Sequence, residues 1–89
     1  MAEPIHVPAR LLAAAGEAIA GERWQAPLAR ALNMNLRTVQ RWAEAAREDR
    51  TYPVPPGLLE ELLGLLERRT RPARAAFEGL KLFYDGLGS

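Results

Sequence analysis

The stretch WQAPLARALNMNLRTVQRWA, residues 24–43, contains two short apolar patterns of helical period, one on each side of Asn33. Spacings of three or four residues place side chains on one face of a helix. Asparagine tolerates the left-handed backbone conformation that commonly ends helices. The stretch therefore predicts two short amphipathic helices joined by a turn. Their core-facing residues are Leu28, Leu32, Val39 and Trp42.

Each landmark of this pattern has a physical reason. Where two helices cross steeply, the first must offer a small side chain, and Ala29 meets that need. Four residues later the turn needs positive φ, which glycine or asparagine accepts. Asn35 is a favourable N-cap for the second helix, and Val39 and Trp42 hold that helix in the core. Such a pair is a helix-turn-helix, whose second helix has an outward face free to enter a DNA major groove.

LARALNMNLRTVQRWA resembles the Cro and lambda-repressor-like helix-turn-helix family. The match consists of a small residue, a turn residue four positions later, and then a buried aliphatic residue and a buried Trp. It covers about 20 of the 89 residues closely, and Asn33 departs from the family's usual glycine. The resemblance implies a compact all-α domain that binds DNA through the N-terminal half of the motif's second helix.

The resemblance also implies which side chains touch DNA. Arg37, Gln40 and Arg41 match the family's outward positions, which face bases or phosphates. Arginine suits the O6 and N7 acceptors of guanine, and glutamine suits adenine. Gln25 begins the motif's first helix, a position that often touches a phosphate in the family.

Asn35 and Leu36 begin the recognition helix and complete the predicted DNA-binding set. Leu36 is apolar on an exposed turn, where it either meets a thymine methyl group or is an ordinary surface leucine. Trp42 is expected in the core. Trp24 either packs at the start of its helix or places its indole N–H near a phosphate, and packing is favoured.

The charge distribution is segregated, although the net charge of +1 alone would argue against a nucleic-acid partner. Residues 23–50 hold six arginines against three acids, whereas the charged residues of 51–67 are all glutamates. A segregated basic face is what phosphate binding requires, and a solvated arginine-rich helix is the alternative. The segment RRTRPAR, residues 68–74, either grips flanking phosphates or neutralises the acidic helix before it.

The rest of the chain predicts an all-α bundle of four to five helices in a single domain, residues 1–89, with the motif at about 25–46. The first helix is expected from Pro8 to about Gly21, the fourth over roughly Pro56–Arg69, and the fifth from Pro72, capped by Thr70 or Arg71, to about Tyr84. The segment DRTYPVPPG is expected to be an extended connection or turn, because it contains three prolines. No segment alternates with period two, so no strand is expected.

The C-terminal helices, within residues 56–84, carry apolar residues on more than one face. A small core cannot use every face, and a subunit interface is the natural destination for the surplus. We expect a homodimer whose contact includes Leu62, Leu66, Leu80 and Phe83.

Several classes of site are not supported. The chain has no cysteine, so it cannot form a disulfide or a thiolate metal site. His6 is the only histidine and has no companion ligands, and the adjacent Glu60 and Glu61 point in different directions on a helix. We therefore expect no enzyme activity, no cofactor and no metal. The apolar runs are too short to span a bilayer and no signal peptide is evident, so the default expectation is a cytoplasmic protein.

These expectations combine into a sequence-specific DNA-binding transcriptional regulator, a repressor that binds an inverted-repeat operator as a homodimer. Its expected partners are double-stranded DNA and a second copy of itself, with no membrane and no small-molecule effector. The alternative is a protein-interaction module, antitoxin- or adaptor-like, that holds a protein partner with the same helical bundle. Salt-sensitive duplex binding would distinguish the two, because only a basic recognition face predicts it.

Overall fold

The computed structural model describes residues 3–68 and 74–87, the second range without the side chain of Arg74. These residues form a compact, mostly helical fold with a small sheet. Its elements in chain order are β1 (Ile5–Pro8), α1 (Ala9–Ala20), α2 (Gln25–Ala31), α3 (Leu36–Arg47), β2 (Thr51–Val54), α4 (Pro56–Glu67) and α5 (Arg74–Leu87). No helix in the described ranges is long and apolar enough to cross a membrane.

The sheet corrects the expectation of an all-α fold without strands. β1 and β2 pair antiparallel, with Val7 opposite Tyr52 and Ile5 opposite Val54. Val7 and Val54 point into the core, where both are buried. Each strand has only four residues, too few to show a convincing alternation. The prolines of both strands are tolerated because in a two-stranded sheet each strand is an edge strand.

The turn between α2 and α3 has the conformation expected of its asparagine. Asn33 has a φ of 54°. The Met34 amide donates to the Ala29 carbonyl over 2.8 Å, and the Asn33 amide donates to the Arg30 carbonyl over 3.2 Å. This pair of bonds is the Schellman motif, which satisfies carbonyls that the end of a helix leaves unpaired. The prediction of a turn at Asn33 is therefore confirmed.

The end of α3 repeats this geometry. Asp49 also has a φ of 54°, and the Arg50 amide donates to the Ala45 carbonyl over 2.9 Å. The Arg50 carbonyl in turn accepts from the Ala9 amide over 2.9 Å. The end of α3 is thus tied to the first residue of α1 immediately before the chain enters β2.

The core lies between α1 and the other helices. It includes the four core-facing residues predicted within the stretch 24–43. All four are buried: Leu28, Leu32, Val39 and Trp42. Ala29 is also buried, and α2 packs against α3. This agrees with the small side chain expected where the two helices cross. Three alanines follow on α3: Ala43 and Ala45 are buried, and Ala46 is half-buried.

The C-terminal leucines require a second correction. Leu62, Leu66 and Leu80, three of the four residues expected at a dimer interface, are buried in the core of a single chain. Phe83 is half-buried and packs against the same core. α4 packs against both α1 and α5, so leucines on more than one of its faces are covered within one chain. A second copy that docks on this fold cannot contact these three leucines.

The limits of the C-terminal helices also differ from expectation. α4 ends at Glu67 and α5 continues to Leu87, beyond the expected end at Tyr84. The expected start of α5 at Pro72, with its cap at Thr70 or Arg71, lies outside the described residues.

Candidate nucleic-acid interface

The start of α3 is fixed by a side-chain cap. Asn35 has an extended backbone, and its Oδ1 accepts a hydrogen bond from the Arg37 amide over 2.8 Å. This bond satisfies one of the amides that the first turn of a helix leaves unpaired. The cap predicted at Asn35 is confirmed, and it sets the rotation of α3 from its first residue.

With this start, the outward face of α3 carries the predicted polar residues. Arg37, Gln40 and Arg41 are exposed, and Leu36 exposes 41% of its surface. The opposite face carries Val39 and Trp42, which are buried in the core. The amphipathic pattern of the sequence thus separates a packing face from a solvent face along the whole helix.

A broad, open groove runs along this face and reaches the start of α2. We refer to it as the α2–α3 groove. Its lining residues are Gln25, Arg37, Gln40, Arg41, Glu44 and Arg47. A smaller depression shares Gln25 and Gln40 with it and adds Leu36, Arg23, Glu22 and Ala26. Five of the six residues predicted to bind DNA therefore lie on one continuous surface, and Asn35 caps the helix that carries most of them.

Two residues that line the α2–α3 groove, Glu44 and Arg47, are not among the predicted site residues. They follow Gln40 by four and seven positions, so helical spacing alone places them on its face. That periodicity could have identified both. They extend the candidate site over three turns of α3 instead of its N-terminal half only.

The groove has an excess of positive charge. Arg37, Arg41 and Arg47 line it together with one acid, Glu44. Within the described ranges, none of these four side chains forms an ion pair with another residue; Glu48, the acid that follows the helix, pairs with Arg50 instead. Guanidinium groups without a carboxylate partner are free to bind an anion, and their planar donors match phosphate and guanine acceptors.

Both tryptophans support the interface from inside. Trp42 is only 1% exposed and Trp24 only 4%, so neither presents its ring to a ligand on the surface. The packing role predicted for both is confirmed. The Trp42 Nε1 has no hydrogen-bond partner among the described residues. Trp42 lies on α3, the helix whose outward face lines the α2–α3 groove, so the burial of its side chain anchors α3 in the core.

The histidine, the adjacent glutamates and the basic segment of the sequence are not among the residues that line the α2–α3 groove. His6 is exposed on β1, and the described residues contain no group of three potential metal ligands. Glu60 accepts a hydrogen bond from the Tyr84 hydroxyl over 2.5 Å, which links α4 to α5. The Arg68 Nε donates to the Gly64 carbonyl over 3.1 Å at the end of α4. Arg69, Arg71 and the Arg74 side chain, the rest of the basic segment, lie outside the described residues.

Comparison with models of protein families, with curated proteins and with solved structures found no match to this chain. What the α2–α3 groove binds is therefore inferred from its own residues.

Proposed function

We propose that the protein binds double-stranded DNA sequence-specifically and regulates transcription, with α3 as the recognition helix. The convergence of Gln25, Arg37, Gln40 and Arg41 on one open, basic groove carries this proposal. An α-helix fits the major groove of B-DNA, and α3 is anchored by Val39 and Trp42 so that its polar face points outward.

The chemistry of the face suggests how contacts divide between bases and phosphates. Arg37 and Gln40 are three residues apart near the start of α3, where recognition helices reach base edges; arginine suits guanine and glutamine suits adenine. Arg41 and Arg47 extend the positive surface along α3 and suit phosphates. Leu36 is placed to contact a thymine methyl group. Gln25, across the groove at the first residue of α2, suits a phosphate oxygen.

One recognition helix of this size offers few base contacts, so specificity is best explained by a homodimer on an inverted repeat. Two-fold symmetry would place the recognition helices about 34 Å apart, one turn of the duplex. Repression then follows from occupation of a promoter.

The proposal is tested by selecting bound sites from random duplexes and then measuring affinity for the selected site over a range of salt concentrations. Arg37→Ala and Arg41→Ala should each weaken binding, by about 1–3 kcal/mol where the arginine reads a base. Lys81→Ala removes the same charge from α5 and serves as the control; it should leave affinity unchanged. A protein-interaction module would select no sequence and show no salt-dependent duplex binding, and that result would replace the proposed function.

A further inference from the structure

A second groove lies between α1 and α5, on helices that do not form the α2–α3 groove. We call it the α1–α5 groove. It is lined by Leu11, Ala14, Glu17, Ala18, Ala75, Ala76 and Gly79. A Cβ built on Gly79 would lie 3.7 Å from the Leu11 Cδ2, an ordinary contact distance, so the Leu11 side chain of α1 packs beside Gly79 of α5. Alanine and glycine leave a recess above this contact, because their side chains do not fill the space between the two helices.

A protruding leucine lies beside this recess. Leu82 exposes 74% of its surface, more than either of the other exposed large apolar side chains, Leu36 and Leu87. It follows Gly79 by three residues and Ala75 by seven, so all three lie along one edge of α5. A knob and a hole on the same surface are what a two-fold interface needs, since each copy presents both to the other.

The charges at the edge of the groove fit the same arrangement. Arg10, Ala14 and Glu17 are exposed on one side of α1. Neither Arg10 nor Glu17 forms an ion pair within the described ranges. The two charges flank Ala14 at nearly equal distances along the helix. If α1 lies antiparallel to α1 of a second copy about this point, Arg10 of each copy faces Glu17 of the other.

We propose that the α1–α5 groove binds a second copy of this chain, with Leu82 of each copy inserted in the groove of the other. The inference locates the contact of the homodimer proposed above and rests on that part of the proposed function, but it does not depend on DNA binding. It replaces Leu62, Leu66 and Leu80, which a single chain buries, with residues that a second copy can reach. The α2–α3 groove is formed by other helices and stays open in each copy.

Sedimentation of the full chain at micromolar concentrations tests the apolar part of the contact. The parent should be a dimer, and Leu82→Glu should raise the dimer dissociation constant at least about tenfold, because a charge would enter an apolar recess. Leu87→Glu places the same charge at another exposed leucine of α5, outside the groove, and should sediment like the parent. Thermal unfolding of each variant confirms that it is folded. A monomeric parent, or a dimeric Leu82→Glu with unchanged affinity, would overturn the proposal.

Charge exchange tests the geometry separately. Arg10→Glu and Glu17→Arg alone should each weaken the dimer, because like charges then face each other. The double exchange should restore the affinity of the parent. A double variant no tighter than the single variants would rule out the antiparallel arrangement. A dimeric parent that binds no duplex would refute the DNA-binding proposal and leave this one intact, whereas a monomer that binds a selected duplex would do the reverse.

Discussion

Gly16 lies against the indole ring of Trp24. A Cβ built on Gly16 would be 2.2 Å from the Trp24 Cε3 and 2.6 Å from the Cδ2, closer than atoms in proteins approach without a shift. Trp24 directly precedes α2, and its neighbour Gln25 lines the α2–α3 groove. The close approach of Gly16 to this ring therefore fixes the start of α2 on α1, and with it the position of one wall of the candidate site.

This contact predicts an unusual response to alanine. In a helix interior, Gly→Ala normally stabilises by about 1 kcal/mol. At Gly16 the added methyl must displace the ring, and overpacking of this kind costs about 1–3 kcal/mol. We expect Gly16→Ala to lower the free energy of unfolding measured with urea. Gly57→Ala, where a Cβ meets nothing within 4 Å, is the control and should be neutral or stabilising. Equal stabilities of the two variants would show that Trp24 moves without cost.

The features that could be predicted from sequence are those set by local chemistry. Asn35 caps α3, Asn33 ends the preceding helix with positive φ, and the spacing of Val39 and Trp42 gives the buried face of α3. Each depends on residues within one or two helical turns. The sheet could not be found in this way, because Val7 of β1 faces Tyr52 of β2 across a long stretch of chain.

The sequence also could not show which apolar faces of the C-terminal helices are covered within a single chain. The count of leucines in α4 predicts a surplus only if that helix packs on one side. In the structure α4 contacts both α1 and α5, so Leu62 and Leu66 are used within the chain. The arrangement of neighbouring helices, which no local pattern encodes, decides this. The face that does stay open, beside Leu82, carries mostly small residues and gives little apolar signal.

The turn between α2 and α3 gives a prediction about backbone conformation. Asn33 is exposed and has a φ of 54°. Its effect on the stability of the fold therefore comes mainly from its backbone conformation and only to a small extent from side-chain packing. Asn33→Ala should destabilise the fold by about 1–2 kcal/mol, because alanine adopts the left-handed region less readily than asparagine does. Asn33→Gly should be neutral or stabilising.

Asp49 provides a matched test of the same conformation, since it has the same φ at the end of α3. Alanine and glycine at this position should show the same order of melting temperatures. If alanine is tolerated as well as glycine at both positions, the left-handed turns do not persist in solution.

The hydrogen bond between α5 and α4 predicts a loss of stability at alkaline pH. Donation to Glu60 raises the pKa of Tyr84 above its usual value of 10.0, with burial and the charges of Glu60 and Asp85 acting in the same direction. A raised pKa means that the folded chain holds this proton more tightly than the unfolded chain does. The contribution is therefore complete below about pH 10 and is lost as the pH rises through the folded-state pKa. Tyr84→Phe should remove this pH dependence of the unfolding free energy, and a parent and variant with parallel profiles above pH 10 would contradict it.

In the proposed DNA complex, the acid within the α2–α3 groove would disfavour binding to unselected sequences. Glu44 is exposed and follows Gln40 by four residues and Arg37 by seven, so it lies near the middle of the outward face of α3. A carboxylate there can accept a hydrogen bond from the amino group of cytosine but repels phosphates. In the proposed complex, Glu44 would therefore favour an α3 whose outward face lies on base edges over an α3 held only by contacts to the DNA phosphates.

Glu44→Gln keeps the size of this side chain and removes its charge. Affinity for random duplex should rise, and the slope of log K against log salt should steepen by up to about 0.9, the effect of one added unit of positive charge. Affinity for the selected site should rise less or fall, so the ratio of specific to non-specific affinity decreases. Glu61→Gln makes the same change on the exposed side of α4 and should alter neither quantity. If Glu44→Gln and Glu61→Gln bind random duplex with the same affinity and salt slope as the parent, then Glu44 does not approach the duplex, and the contact of α3 with the major groove is limited to its N-terminal half.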